Sequence, residues 1–356
     1  MTSRTPSPPP TPEALAADVA WLPHRVVPAS GQAQFVRLTR EDHRRVTFLT
    51  DEYIGTEPPR VAQPIAAVVP AAAAAPRGRA QFIFHSAFCC STLLARAVDV
   101  EGHAMGLKEP VALLDLAESL LATRDLPRLR APLAATLDLL ARPFGPGETV
   151  VVKPTNIVNA LIEPILSLRP EAKALLLYSP LPDFLRSVAR KGLFGRIWAR
   201  RAYASLSRAP GFDPGYSAAE RWEHTDLQVA ALGWLQQQAL FARLVRTQPA
   251  RVRTLDTPSL LGDPAATMTA LDALFGLGIP AETLGTIAAG PIFSRNSKRH
   301  AEPFDANRRA AEHEQAASAY GEEIDKVVAW AGAVAAHLGV PMTLAGGLLG
   351  QAPGAS

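Results

Sequence analysis

The sequence predicts an α/β protein that forms a three-layer sandwich around a central parallel sheet. Short apolar runs alternate along the chain with longer segments in which apolar residues recur at helical spacing. This alternation indicates parallel strands that are covered by helices on both faces. The 356 residues, of which 48% are hydrophobic, suffice for one large domain with an extension.

The predicted strands are four short apolar runs, at 81–84, 148–152, 172–178 and 251–255. Helices are expected at 93–98, 111–123, 133–140, 156–168, 184–191, 197–207, 218–247 and 263–275. Parallel α/β sheets bind ligands at the carboxyl ends of their strands. We therefore expect a site built from the segments that follow these runs, at 85–92, 153–156, 179–183 and 256.

The rest of the chain divides by composition. Residues 1–12 are rich in proline and predict a disordered tail. Residues 13–63 are expected to form a small N-terminal extension, and 64–79 an Ala/Pro-rich linker. The main domain is predicted over 80–345, followed by a flexible tail over 346–356.

Charge and cysteine usage limit the function classes. The net charge of +3 favours anionic ligands weakly, and no basic run predicts a nucleic-acid partner. Cys89 and Cys90 are adjacent and cannot join distant segments, so no disulfide framework is expected. The N-terminus lacks the apolar core of a signal peptide, and no apolar run reaches about 20 residues. We expect a cytoplasmic protein without a membrane partner.

The segment 80–99 predicts a strand, a tight loop and a helix. Ser91 and Thr92 open the helix directly after the strand, where backbone N–H groups and hydroxyls favour an anion. A phosphate loop normally carries glycines and a lysine, whereas this one has Cys90 and Ser91 in those places. The alternative is an ordinary capped turn between a strand and a helix.

The loop resembles the 5′-phosphosulfate loop of sulfotransferases, which commonly reads Arg-Ser-Gly-Ser/Thr-Thr-Leu-Leu. Here it reads Phe-His-Ser-Ala-Phe-Cys-Cys-Ser-Thr-Leu-Leu-Ala-Arg-Ala over 84–97. Further segments are similar to family landmarks in the same order, at 108–110, 152–155, 172–187 and 253–264. The resemblance covers about 80–300 and implies a P-loop NTPase-like sulfotransferase fold.

The same resemblance implies an activity. The donor would be 3′-phosphoadenosine 5′-phosphosulfate (PAPS), and the acceptor a hydroxyl or amine of a small molecule or saccharide. Lys153 is expected to contact the sulfuryl oxygens and Glu109 to take the acceptor's proton, with His85 as an alternative base. Structural alternatives are a helix-start carboxylate for Glu109, a surface lysine for Lys153 and a hydrogen-bonded core histidine for His85.

Two groups of residues are expected to hold the donor, and no metal ligands are predicted. The 5′-phosphosulfate group is assigned to Ser86, Ala87, Phe88, Cys89, Cys90, Ser91 and Thr92. The 3′-phosphate group is assigned to Ser179, Ser187, Arg295, Lys298 and Arg299.

The chain departs from the family pattern at three positions. Phe88 stands where most members have a cation, Cys90 where they have glycine, and Ser179 where they have arginine. Arg186, Arg190 and Lys191 are expected to compensate for the missing 3′-phosphate arginine only if their helix turns them toward the site. Two other functions remain open: a nucleotide-dependent small-molecule kinase that uses Asp256 for a metal, and a non-catalytic binding protein.

Overall fold

The computed structural model describes residues 9–294 and 306–350. The strands are β1 Trp21–Val27, β2 Gln32–Arg37, β3 Arg60–Pro64, β4 Arg79–His85, β5 Ala104–Lys108, β6 Thr149–Lys153, β7 Ala174–Tyr178 and β8 Val252–Asp256. The helices are α1 Pro12–Ala17, α2 Arg40–Arg45, α3 Asp51–Ile54, α4 Ile65–Ala74, α5 Ser91–Ala97, α6 Val111–Thr123, α7 Leu126–Leu140, a 3-10 helix Asn156–Leu161, α8 Ile162–Leu168, α9 Leu181–Arg190, α10 Gly192–Leu206, α11 Ala218–Glu223, α12 Asp226–Thr247, α13 Thr257–Gly262, α14 Pro264–Phe275, α15 Ala281–Ala289, α16 Pro291–Ser294 and α17 Ala306–Leu338. None of the helices in the described ranges is long and apolar enough to cross a bilayer.

The described residues form two sheets. The larger one is parallel, and its strands lie in the order β5-β6-β4-β7-β8. Strand β4 is central: Phe82 pairs with Val152 of β6 on one side, and Phe84 pairs with Leu176 of β7 on the other. These side chains are buried because helices cover both faces. The predicted α/β sandwich with a central parallel sheet is confirmed. The loop after β4 thus starts in the middle of the sheet's carboxyl edge, between the ends of β6 and β7.

Strand β5 was not among the predicted strands. It contains Gly106, whose Cα packs so closely on α5 that an added Cβ would lie 2.4 Å from the Ala95 carbonyl oxygen. The glycine interrupts the apolar run that would otherwise indicate a buried strand.

The long helix predicted over 218–247 is two helices, α11 and α12. The break occurs at Thr225, whose side chain accepts from the Gln228 N–H while Gln228 accepts from the Thr225 N–H. This reciprocal arrangement is a capping box, which starts a new helix.

The linker predicted over 64–79 is largely helical, because α4 occupies most of it. Ala72 is fully buried, and α4 packs against α7. Small alanine side chains allow two helices to approach closely, so the alanine-rich composition serves packing here. Part of the predicted C-terminal tail is also ordered: Leu348 N–H donates to the Thr254 carbonyl at 2.8 Å, beside β8.

Strands β1, β2 and β3 form a separate antiparallel sheet in the N-terminal extension. The buried guanidinium of Arg142, just after α7, fastens this extension to the main domain by donating to the carbonyls of Leu15 and Ala16, both at 2.8 Å. Burial lowers the pKa of Arg142 to about 10. Leu49 N–H donates to the Lys108 carbonyl at 2.7 Å. Residues 46–53 therefore lie beside the carboxyl end of β5.

Candidate active site

The β4–α5 loop, residues 86–90, has an unusual backbone. Three non-glycine residues have left-handed conformations: Ala87 with φ 72°, Phe88 with φ 52° and Cys90 with φ 64°. Each such residue costs about 1–2 kcal/mol relative to the right-handed region. Cys90 thus adopts the conformation that the expected glycine reaches without strain. The surrounding contacts must hold the loop in this shape.

His85 is one of those contacts. Its Nδ1 accepts from the Ala87 N–H at 3.0 Å, which fixes the proton on Nε2. Nε2 then donates to the Pro154 carbonyl at 2.9 Å. Both ring nitrogens are engaged inside the protein and the side chain is buried. The expectation that His85 is an alternative base is therefore not supported, because the ring shapes the loop and links it to the end of β6.

Ser179 stabilises the loop through a hydrogen bond to its backbone. Its hydroxyl donates to the Phe88 carbonyl at 3.0 Å and lies 2.8 Å from the Thr257 hydroxyl, while its own carbonyl accepts from Trp234 Nε1 at 2.9 Å. Ser179 is fully buried. We expected Ser179 to contact a 3′-phosphate directly. Its side chain is too short for that, because the hydroxyl reaches only the loop backbone and Thr257.

Phe88, at the position of the missing loop cation, packs into an aromatic cluster. Its ring centroid lies 5.8 Å from that of Phe184 and 4.8 Å from that of Trp198. The ammonium of Lys191 lies 5.9 Å from the Phe88 centroid, within range of a cation–π contact. Lys191 is exposed just after α9. The structure therefore places a cation beside the loop, whereas the sequence suggested Lys191 only for the 3′-phosphate.

Lys153 and Glu109 come together where β6 and β5 end. The Lys153 ammonium contacts Glu109 Oε1, and the lysine side chain is 1% exposed against 20% for the glutamate. Glu109 N–H donates to the Lys153 carbonyl at 2.7 Å, and Glu109 has a left-handed φ of 56°. The paired carboxylate is thus partly accessible while its cation is enclosed.

Two aromatic residues of the N-terminal extension border this pair, and the sequence did not indicate them. The Phe48 ring centroid lies 5.1 Å from the Lys153 ammonium and 5.3 Å from the ring centroid of Tyr53. Burial raises the pKa of Tyr53, with further contributions from the negative charges of Glu52 and Glu109. The extension therefore adds an aromatic wall next to the Lys153–Glu109 pair.

Lys108 turns away from this pair, although it ends β5 as Lys153 ends β6. Its ammonium donates to the His43 carbonyl at 2.6 Å and the Arg44 carbonyl at 3.2 Å, at the C-terminal end of α2. Burial, followed by the charge of Arg96, lowers its pKa to about 7. Lys108 therefore serves to dock the extension.

The remaining loop residues are mostly buried. Ser91 and Thr92 begin α5, and the Cys89 thiol lies 3.4 Å from the Leu177 carbonyl. The Ser86 hydroxyl is buried with no hydrogen-bond partner in the described part of the chain. Behind the loop, Asn159 Nδ2 donates to the His85 carbonyl at 3.0 Å. Asn159 was missed because its contact partner lies 74 positions away along the chain.

Of the predicted 3′-phosphate residues, Ser179 and Ser187 lie in the described part of the chain. Ser187 is buried on α9, and the carboxylate of Asp183 pairs with Arg186 at 3.0 Å. The basic residues assigned to this phosphate, Arg295, Lys298 and Arg299, lie outside the described residues.

The chain was compared with protein-family models, curated proteins and solved structures. No protein-family model and no curated protein matches the chain. The sulfotransferase domain from the curacin biosynthetic pathway is similar, with a TM-score of 0.40 and 13% sequence identity. The match covers 69% of this chain and 98% of that domain.

Proposed function

We propose that this chain is a sulfotransferase-like enzyme that transfers a sulfuryl group from PAPS to a hydroxyl or amine acceptor. The observation that carries the proposal is the Lys153–Glu109 pair next to the β4–α5 loop. His85 links the loop to Pro154, the residue after Lys153, through the 2.9 Å contact described above. A cation, a carboxylate and a preshaped loop thus share one edge of the sheet.

Each part of this edge fits a requirement of sulfuryl transfer. PAPS supplies the sulfuryl group, and the bond between sulfur and the phosphate oxygen breaks as the acceptor's oxygen or nitrogen bonds to sulfur. Negative charge spreads over the peripheral oxygens during such transfers, and a fixed cation in an enclosed site stabilises it. Lys153 is such a cation because its side chain is buried and held by Glu109.

Glu109 fits the role of the base. The acceptor loses one proton in the reaction, and a carboxylate within hydrogen-bond reach can take it. Glu109 is the more exposed member of the pair, so an acceptor can approach its second oxygen. A proton gained by Glu109 also releases Lys153 from its ion pair as negative charge develops on the donor.

Two groups fit the binding of the donor at the loop. The buried Ser86 hydroxyl has no partner among the described residues, so it can donate to a phosphate or sulfate oxygen. Lys191 provides positive charge beside Phe88, where most related loops carry a cation of their own. These groups support an anionic donor in spite of the altered loop sequence.

The position of Asp256 does not favour the kinase alternative, in which this residue would bind a metal. Asp256 Oδ1 accepts from the Ser259 N–H at 2.8 Å and caps α13. An N-cap carboxylate is accounted for by the helix that it starts. The sulfuryl-transfer function is therefore the better supported of the two catalytic functions.

Calorimetric titration with PAP, the desulfated product, tests the proposal. We expect PAP to bind, and Mg²⁺–ATP to bind more weakly or not at all. Binding of Mg²⁺–ATP without binding of PAP would favour the kinase, and no binding of either would favour a non-catalytic protein. Where PAP binds, transfer of radiolabelled sulfate from PAPS to a panel of hydroxyl and amine acceptors tests the reaction itself.

A further inference from the structure

A cavity of about 590 Å³ lies between the helices on one side of the main sheet. It is bounded by the C-terminal part of α6, the start of α7, the 3-10 helix with α8, residues 206–212 and α12. Its volume falls within the range of roughly 300–1,000 Å³ that is typical of small-molecule sites. Most of the wall is apolar, including Leu120, Leu121, Pro164, Leu206, Phe212 and Leu240.

Two buried amide oxygens belong to residues that line this cavity. Asn159 Oδ1 and Gln236 Oε1 have no hydrogen-bond partner in the described part of the chain, and both residues are more than nine-tenths buried. Their amide nitrogens donate to the carbonyls of His85 and Leu206, which fixes the unpartnered atoms as oxygens. Buried polar groups are nearly always hydrogen-bonded. A ligand that donates a hydrogen bond would satisfy them.

The rim of the cavity is positively charged. Arg124, Arg130 and Arg208 are exposed and line it. The other two charged residues of the lining, Arg243 and Glu163, neutralise each other because they form an ion pair at 2.9 Å. Three arginines around an apolar opening favour a ligand with an anionic end.

We propose that this cavity binds an amphiphile with an apolar chain, an anionic end and a hydroxyl group. The apolar chain lies against the leucine-rich wall, and the anionic end remains at the arginine rim. The hydroxyl donates to the amide oxygen of Asn159 or Gln236. This site is separate from the Lys153–Glu109 pair, and its occupancy requires no sulfuryl transfer.

Calorimetry with three matched probes, each below its micellar concentration, tests this site. The probes are ω-hydroxydodecanoate, dodecanoate and dodecyltrimethylammonium. We expect the hydroxylated carboxylate to bind roughly three- to tenfold more tightly than dodecanoate, the gain of one net hydrogen bond. The cationic probe should not bind measurably. Equal affinity for the two carboxylates would overturn the assignment of the hydroxyl, and absence of carboxylate binding would overturn the site.

Two variants that fill the cavity locate the binding. Ala160→Phe and Leu240→Trp each place a bulky side chain in the lining, and either should weaken ω-hydroxydodecanoate at least about tenfold. The control is Ala122→Phe, on the exposed side of α6, which should bind as the wild type does.

Thermal unfolding identifies any cavity-filling variant that does not fold, and the binding of the other cavity-filling variant then decides. Unchanged affinity in a folded cavity-filling variant would show adsorption elsewhere and overturn the proposal. The titrations contain no PAP, so their outcome is distinct from that of the proposed enzyme.

Discussion

Lys153 and Glu109 are joined twice at the carboxyl edge of the sheet, once through their side chains and once through the backbone. The ammonium contacts the carboxylate, and the Glu109 N–H donates to the Lys153 carbonyl at 2.7 Å. The backbone bond and the left-handed φ of Glu109 fix where its side chain begins. The pair is therefore in place before any ligand arrives, which is the condition for electrostatic preorganisation.

Glu109→Gln tests the role of the base. The amide has nearly the same shape but cannot accept the acceptor's proton, so we expect transfer from PAPS to fall by about 10²–10⁴-fold. PAP affinity should stay within a few-fold of the wild type. Single-turnover transfer and PAP calorimetry measure the two effects separately.

A matched control for this prediction is Glu101→Gln. Glu101 pairs with Arg44 at 3.1 Å and precedes β5, at the opposite edge of the sheet. It should retain full transfer. Full activity in Glu109→Gln would reject the assignment of this residue as the base.

Lys191→Gln tests the compensating cation. Lys191 is exposed and lies over Phe88, so its loss should cost little stability but reduce attraction for a phosphate at the loop. We expect PAP to bind roughly three- to tenfold more weakly, with a smaller dependence of affinity on salt. Lys326→Gln, an exposed lysine of α17 paired with Glu322, is the control. Equal PAP affinity and salt dependence in the two variants would contradict the role of Lys191.

Cys90→Gly tests the strain in the β4–α5 loop. Glycine removes about 1–2 kcal/mol of left-handed strain from the folded state. Its greater backbone freedom also stabilises the unfolded state, by about 0.4–1 kcal/mol. Relative to Cys90→Ala, which lacks the thiol but keeps the strain, we expect Cys90→Gly to be more stable by about 0.5–1 kcal/mol. Urea unfolding of the two variants gives this difference directly. A less stable glycine variant would mean that position 90 is not strained.

The sequence predicted the edge of the sheet where the candidate site lies, because strand ends are local features. Lys153 follows an apolar run, and the loop before Ser91 follows another. Parallel pairing then brings such ends together whatever the surrounding details. Glu109 follows β5, a strand that the sequence did not indicate, so its convergence with Lys153 could not be anticipated from the strand pattern.

Contacts that depend on distant parts of the chain could not be predicted in this way. Lys108 ends β5 as Lys153 ends β6, yet its ammonium turns to carbonyls of α2, 64 and 65 positions earlier. The burial of Ser179 beneath Phe88 likewise depends on how the loop folds back. Side-chain direction is set by the packing of neighbouring elements, which no local pattern in the sequence encodes.

His43 predicts how stability changes with pH. This histidine is buried beside Lys108, and burial, followed by the charge of Lys108, lowers its pKa from 6.5 to about 3. Between these pH values the unfolded chain binds a proton that the folded chain does not, so stability falls as pH decreases from 6.5 toward 3.

The wild type should lose about 2 kcal/mol more unfolding free energy between pH 7 and pH 5 than His43→Phe, because the phenylalanine does not titrate. The substitution keeps an aromatic ring next to Phe144, which the histidine ring contacts with centroids 5.7 Å apart. Urea unfolding at both pH values measures the difference in slope, which other titrating groups affect equally in the two proteins. Equal slopes would show that His43 is not held neutral by the fold.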